Sequence, residues 1–169
     1  MVSLIITVVG PDRPGLVSAL SEAVAARNGS WLESRMARLA GQFAGIVLVE
    51  APEALLDDLR KLESQGLRIV VQSGTPAVET AAEPSSLLEV VGNDRPGIVR
   101  DITQILARNR INIEELTTGV ASGSFSGETL FRVTAVVRAP DPEAMDAMRT
   151  GLELLGNELM VDIHPAPQG

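Results

Sequence analysis

Residues 8–17 read Val8-Val9-Gly10-Pro11-Asp12-Arg13-Pro14-Gly15-Leu16-Val17, and residues 90–99 read Val90-Val91-Gly92-Asn93-Asp94-Arg95-Pro96-Gly97-Ile98-Val99. The second stretch lies 82 residues after the first, and eight of the ten positions are identical. Repetition at a fixed offset indicates a duplicated structural unit. The 169-residue chain is therefore expected to hold two copies of one small domain.

The two copies share one predicted order of strands and helices. Apolar β-branched runs predict strands, and apolar residues spaced three and four apart predict helices. The strands are predicted at residues 4–9, 31–39, 43–50 and 67–72 and again at 87–91, 112–121, 129–138 and 159–164. The resulting order, βαββαβ, is typical of the ferredoxin-like α+β arrangement, a four-stranded antiparallel sheet with two helices on one face.

The start of the first helix has a simple expected geometry. Asp12 is expected to act as its N-cap, with Pro14 in the first turn, and the second copy is expected to begin its helix at Pro96. The last helix is expected to start after Asp141 and Pro142. These residues are common at helix starts, so the pattern by itself predicts only a tight connection.

The domain boundaries follow from the repeat and from composition. The predicted divisions are unit 1 at residues 1–73, a Pro- and Ala-rich linker at 74–84, unit 2 at 85–164 and a tail at 165–169. Each unit leaves one sheet face uncovered, and the two units are expected to cover one another. Residues 122–128, which include Phe125, are interpreted as a plain hairpin connection, with a partner-binding tip as the alternative.

Composition excludes several classes of function. The net charge is −8 with a pI near 4.7, which argues against direct nucleic-acid binding. The chain has no Cys and one His, so neither a thiolate site nor a multi-histidine metal site is expected. Neither a leader peptide nor a membrane-spanning run is apparent. We therefore predict a cytoplasmic protein with no catalytic residues, no metal and no cofactor.

The repeated loop has chemistry that suits a zwitterion. The N-terminus of a helix offers free N–H groups and a partial positive charge to a carboxylate. Arg13 and Arg95 add a permanent positive charge that an ordinary turn does not require. Oxygens of Asp12, Asn93 and Asp94 are available to an ammonium group. The loop therefore predicts a small amino-acid site, with a purely structural turn as the alternative.

The doubled Gly-x-Asp-Arg-Pro-Gly motif within βαββαβ units resembles tandem ACT-domain proteins, and the two-copy layout resembles the glycine cleavage system transcriptional repressor family. The resemblance implies that an amino-acid effector binds at the loop and at the start of the second strand, often across an interface with another ACT unit. It points to Asp12, Arg13, Pro14, Gly15, Leu16, Asn93, Asp94, Arg95, Pro96, Gly97, Ile98, Asn112 and Ile113. It also implies glycine or a similar amino acid as effector, a transcription regulator as protein partner, and is compatible with a homodimer.

One segment differs between the two copies. The Asn-Ile pair usual in ACT domains is Asn112-Ile113 in the second unit but Ser30-Trp31 in the first. Ser30 is shorter than Asn112 and makes fewer hydrogen bonds, and Trp31 is bulky. The difference favours the second unit, or a mixed site between units, as the place of effector binding.

Three functions follow from these observations. The favoured hypothesis is a non-enzymatic amino-acid-sensing regulator that acts through a protein partner. The alternative is a ligand-free interaction or dimerisation module that acts on a metabolic enzyme. An enzyme is the third, although no nucleophile–base pair is placed by spacing.

Several conspicuous side chains receive structural interpretations. Trp31, Met145 and Met148 are expected in the core, with an interface role for Trp31 as the alternative. The pairs Asp57-Asp58 and Glu114-Glu115 are expected to be solvated, as is His164.

Overall fold

The structure is a computed structural model that describes residues 1–74, 85–122, 129–156 and 159–166. The chain divides into two compact units, Met1–Val78 and Glu79–Gly169. Most of the predicted linker, the predicted 122–128 loop beyond Ser122 and the last three residues of the predicted tail lie outside the described residues. The exact domain boundaries therefore stay a prediction.

Unit 1 has the predicted βαββαβ order. Its elements are β1 (Val2–Pro11), α1 (Leu16–Ala26), β2 (Ser30–Leu39), β3 (Gln42–Ala51), α2 (Leu55–Glu63) and β4 (Arg68–Ser73). The strands form one antiparallel sheet in the order β2-β3-β1-β4. Alternate residues of β1 and β3 are buried and pack with one stripe of each helix, so both helices cover the same sheet face.

Unit 2 repeats the arrangement. Its elements are β5 (Ser86–Asn93), α3 (Ile98–Arg108), β6 (Asn112–Ser122), β7 (Thr129–Arg138), α4 (Pro142–Glu153) and β8 (Met160–Pro165). The sheet order is β6-β7-β5-β8, again antiparallel throughout. A second core cluster packs the inner faces of β5 and β7 against α3 and α4. The predicted ferredoxin-like fold is confirmed in both units.

The cores account for the aromatic and methionine residues. Trp31 is half-buried and packs against the unit 1 core. Met148 is fully buried in unit 2, and the half-buried Met145 packs beside it. These contacts confirm the structural interpretation of all three side chains.

The expected starts of the first helices were wrong. α1 begins at Leu16 with Gly15 as its N-cap, and α3 begins at Ile98 with Gly97 as its N-cap. Both glycines adopt a left-handed conformation, with φ of 90° and 82°, so the proline lies in the turn before the helix rather than inside it. Asp12 does not cap α1, because its carboxylate instead pairs with Arg38 Nε at 2.6 Å. Asp141, in contrast, does cap α4 by accepting a hydrogen bond from the Ala144 amide.

Candidate functional site

The repeated motif forms a strand-to-helix loop in each unit. We call residues 12–15 loop 1 and residues 94–97 loop 2. The Asp12 amide donates to the Gly41 carbonyl at 2.9 Å, and the Asp94 amide donates to the Thr129 carbonyl at 2.8 Å. These bonds extend the pairing of β1 with β3 and of β5 with β7 by one residue and fix the base of each loop. The backbone of the two loops is therefore built in the same way.

Each loop leads into a helix whose N-terminus has no side-chain cap among the described residues. Gly15 and Gly97 turn the chain through positive φ, where a side chain on Cβ is strained. Leu16 and Ile98, the first helical residues, are buried and anchor each helix to the core. The first-turn amides and the positive end of the helix dipole therefore lie at the end of the sheet where the loop is.

The arginine of loop 1 is exposed and makes only a long hydrogen bond to a neighbouring side chain among the described residues. Arg13 is exposed, and its Nη2 donates to Gln65 Oε1 at a distance of 3.4 Å, which is long for a hydrogen bond. Apart from its two chain neighbours, no described residue has a heavy atom within 4 Å of the position that a Cβ on Gly15 would occupy. The first turn of α1 holds no acidic residue. An exposed arginine with one long hydrogen bond therefore lies beside the uncapped start of α1.

Loop 2 holds a carboxylate of its own. Arg95 Nη1 donates to Asp101 Oδ2 at 2.7 Å, and the Nε and Nη2 atoms of Arg100 donate to Asp101 Oδ1 at 3.0 and 2.9 Å. Hydrogen bonds from Arg95 and then Arg100 hold the pKa of the Asp101 carboxyl below its ordinary value. Arg100 Nη2 also lies 3.1 Å from the position of a Cβ on Gly97. Arg95, Arg100 and Asp101 therefore form one ion-pair cluster at the start of α3.

Asn112 and Ile113 do not join loop 2 within their own unit. Asn112 pairs with Arg138 at one end of β7, whereas Asn93 pairs with Leu130 at the other end. Leu130 is opposite Ala121, nine residues along β6 from Asn112, which corresponds to about 30 Å of strand. Ile113 is half-buried and packs against the unit 2 core.

The same separation holds in unit 1. Ser30 pairs with Glu50, which also pairs with Ser3 near the start of β1. Loop 1 follows the opposite end of β1, where Pro11 pairs with Gln42. The Ser30-Trp31 departure from the Asn-Ile pattern therefore does not alter the surroundings of loop 1 within its own unit. The preference for unit 2, or for a mixed site between units, stays a prediction.

Two carboxylates that the sequence placed in solvent are engaged instead. Glu114 accepts from Arg138 Nη2 at 2.5 Å and from the Ser85 hydroxyl at 2.7 Å. Asp58 accepts from Arg27 Nε at 2.5 Å and from Lys61 Nζ at 2.8 Å, so its pKa falls well below the ordinary 3.8. Asp58 is half-buried, so the prediction of solvation was wrong for it, whereas Glu114 is exposed as predicted although it is paired. Adjacency in sequence does not reveal the partners of either carboxylate. His164 is exposed, on β8.

Neither a metal site nor a membrane-spanning helix is found in the part of the chain that the structure describes. No group of three or more His, Cys, Asp or Glu side chains there is placed to hold a metal ion. No helix within the same ranges is long and apolar enough to cross a membrane. An open cavity of about 580 Å³ lies at the end of unit 1 opposite loop 1, lined in part by Ser3, Glu50 and Glu53.

Comparison with protein families identifies both units. The ACT domain family matches residues 3–72 and, separately, residues 86–150. The chain is a tandem ACT-domain protein. Its two loops thus occupy the position that the Gly-x-Asp-Arg-Pro-Gly motif indicated, between the first strand and first helix of each ACT domain.

Relatives of the tandem ACT-domain protein span most of its length. It is 26% identical to the glycine cleavage system transcriptional repressor of Escherichia coli strain K12 over 149 residues, 85% of this chain and 77% of that protein. A solved structure of an unknown protein from Galdieria sulphuraria superimposes with a TM-score of 0.82 at 31% identity, covering 98% of this chain and 99% of the other. A solved protein assigned provisionally as a glycine cleavage system transcriptional repressor shares the fold, with a TM-score of 0.68 at 18% identity and 98% coverage of both chains. The chain is an ACT-domain regulatory protein similar to that repressor.

Proposed function

We propose that this tandem ACT-domain protein senses a free amino acid and regulates transcription through a protein partner. The observation that carries the proposal is loop 1, where the exposed Arg13 stands beside a helix start with no side-chain cap among the described residues. The similarity to the glycine cleavage system transcriptional repressor makes glycine or a similar amino acid the first effector to test. Transcriptional control implies a cytoplasmic location.

The chemistry of loop 1 suits the carboxylate of the effector. Amide groups of the first helical turn donate hydrogen bonds, and the helix dipole favours a negative charge at this end. Arg13 contributes a guanidinium that pairs with both oxygens of a carboxylate. Asp12 is tied to Arg38 through one oxygen, which places a second acidic oxygen at the loop for an ammonium group.

Regulation follows from the difference in affinity between two states of the protein. An effector that binds the partner-competent state more tightly raises partner affinity, and the partner raises effector affinity by the same factor. The net charge of −8 favours a protein partner over direct contact with DNA phosphates. We also propose that the chain forms a homodimer. We assign no reaction to the chain, because its relative of comparable length is named for repression.

A thermal-unfolding screen tests this proposal. The purified chain is heated with each of the twenty common amino acids in turn. An effector at 100 times its Kd stabilises the native state by about 2.7 kcal/mol, which raises Tm by several degrees. Arg13→Ala is expected to lose this shift.

Arg108→Ala supplies the matched control. It removes the same charge from an exposed position at the far end of α3 and is expected to keep the shift. The proposal fails when no amino acid raises Tm, or when Arg13→Ala responds as strongly as the wild-type chain.

A ligand-free dimerisation module is the second candidate, and strand β6 favours it. β6 is an edge strand, and its residues from 114 to 122 are exposed. Residues 116–122 carry no charge, and Leu116 and Val120 are 44% and 60% exposed. Uncharged edges pair with other strands. If β6 pairs two copies of the chain, Val120→Lys turns the dimer into a monomer in analytical ultracentrifugation. The same mass for wild type and Val120→Lys, at low and at high protein concentration, rejects this candidate.

A further inference from the structure

We infer that Asp101 occupies loop 2 in place of an effector's carboxylate, so that loop 1 is the loop left open to bind one. This inference rests on the proposed function, since it assigns the amino-acid site to one of the two loops. It makes Asp101 a specificity-determining residue, and it makes the contact between Asp101 and Arg95 an internal block on ligand binding.

The contacts of Asp101 are those expected of a bound carboxylate. Both of its oxygens are used, one by Arg95 and the other by Arg100. Its side chain is 19% exposed, and it lies in the first turn of α3, where a negative charge interacts favourably with the helix dipole. The motif arginine of loop 2 therefore already pairs with a carboxylate, which it shares with Arg100, from the first turn of α3.

The same residues lie beside the start of α3, although residues 94–97 are themselves exposed. The guanidinium of Arg100 is turned toward Asp101 and lies over Gly97. An incoming carboxylate meets the negative charge of Asp101 and competes with it for Arg95. Like charges at this distance repel, and two carboxylates do not share one guanidinium pair without cost.

Loop 1 lacks the blocking residue. The 82-residue offset places Ala19 opposite Asp101 and Ser18 opposite Arg100. Ala19 packs against the core, and the Ser18 hydroxyl donates to Glu22 one turn further along α1. Neither residue brings a negative charge to Arg13. The two loops therefore share a backbone conformation, but only loop 2 has a carboxylate at the position of Asp101.

The test counts binding sites by isothermal titration calorimetry of the full chain with glycine and, separately, with acetate. Wild type is expected to bind one equivalent and Asp101→Ala two equivalents. Arg13→Ala is expected to lose at least tenfold in affinity, and Arg95→Ala to bind as wild type does. In the double variant Arg13→Ala with Asp101→Ala, one equivalent remains. Asp101→Asn, which keeps the side-chain shape, is the second variant should the alanine substitution impair folding.

The outcomes separate this inference from the proposed function. Binding by Asp101→Ala without any binding by wild type supports the block at loop 2 and rejects sensing by loop 1. Equal stoichiometry in wild type, Asp101→Ala and Asp101→Asn overturns the inference, as does a loss of wild-type binding on Arg95→Ala with retention on Arg13→Ala. Absence of binding in every variant rejects both.

Discussion

Loops 1 and 2 have nearly the same backbone but different ion pairs around their arginines. Both descend from one repeated motif, both turn through a glycine at positive φ, and both lead into an 11-residue helix. In loop 1 the arginine has one long hydrogen bond to an amide oxygen, whereas in loop 2 it forms a 2.7 Å ion pair with Asp101. A motif that appears twice therefore does not imply two equivalent sites.

The comparison also shows which residues preserve the fold and which set the chemistry. Gly15 and Gly97 are required by the turn, and the buried Leu16 and Ile98 are required by the core. The residues that distinguish the loops lie just after the motif, within the first helical turn. Ligand binding thus depends on positions that the motif itself does not include.

The largest expected change in stability comes from the two glycines that the loops share. Gly15→Ala and Gly97→Ala each place a side chain at positive φ, which is expected to cost about 1–2 kcal/mol of unfolding free energy. Urea unfolding of each variant measures this. Gly119→Ala is the control, since Gly119 lies in the exposed strand β6 with open space around it among the described residues, and a loss below about 0.5 kcal/mol is expected there. Losses in the loop variants no larger than that of the control would show that the glycine turns are not required.

A somewhat smaller difference is expected between two aspartates that precede helices. Asp141 caps α4 through a 2.7 Å bond from the Ala144 amide, so Asp141→Ala is expected to cost about 1 kcal/mol. Asp12 makes an ion pair on the surface and no cap, so Asp12→Ala is expected to cost under about 0.5 kcal/mol. Chemical denaturation of both variants under one condition makes the comparison. A larger loss for Asp12→Ala than for Asp141→Ala would contradict the assigned start of α1.

The smallest effect concerns pH. Asp58 bridges Arg27, at the end of α1, and Lys61 of α2, and both lower its pKa below the ordinary 3.8. A carboxyl with a lowered folded-state pKa stabilises the native state above its unfolded pKa, and this stabilisation is lost as pH falls through the folded pKa. Asp58→Asn is therefore expected to be less stable than wild type at pH 7, with a difference that shrinks below about pH 3.8. Asp101→Asn is expected to follow the same course, since the pKa of Asp101 is also lowered.

Unfolding curves for these variants at pH 7 and pH 2.5 provide the measurement. A difference that is unchanged or larger at the lower pH would show that the ion pairs do not contribute in the assigned direction. The exposed pair of Arg60 with Asp57 serves as comparison, and Asp57→Asn is expected to change stability little at either pH.

Much of the fold could be predicted from the sequence because the repeat supplied two independent readings of one pattern. The strand and helix order, the antiparallel sheets and the core roles of Trp31 and Met148 follow from periodicity. The start of α1 was misplaced because Asp12 and Pro14 fit a capping pattern, and only the backbone angle at Gly15 shows that the helix begins later.

The site was harder to predict, for two physical reasons. Asp101 is six residues from Arg95, and no short-range sequence pattern predicts that its carboxylate contacts the arginine of the loop. Asn112 is separated from loop 2 by the strand register, which requires the pairing of β6 with β7 to be known. The arginine of the motif could be found from the sequence, whereas the state of that arginine depends on three-dimensional contacts.

The most direct test of the central claim is an amide NMR titration of the full ¹⁵N-labelled chain with glycine and then with the effector from the thermal screen. The account predicts that the largest shifts fall on the amides of residues 13–18, at loop 1 and the first turn of α1, while the amides of residues 95–100 stay nearly unchanged. Shifts concentrated at residues 95–100, or no shifts in either loop, would contradict it.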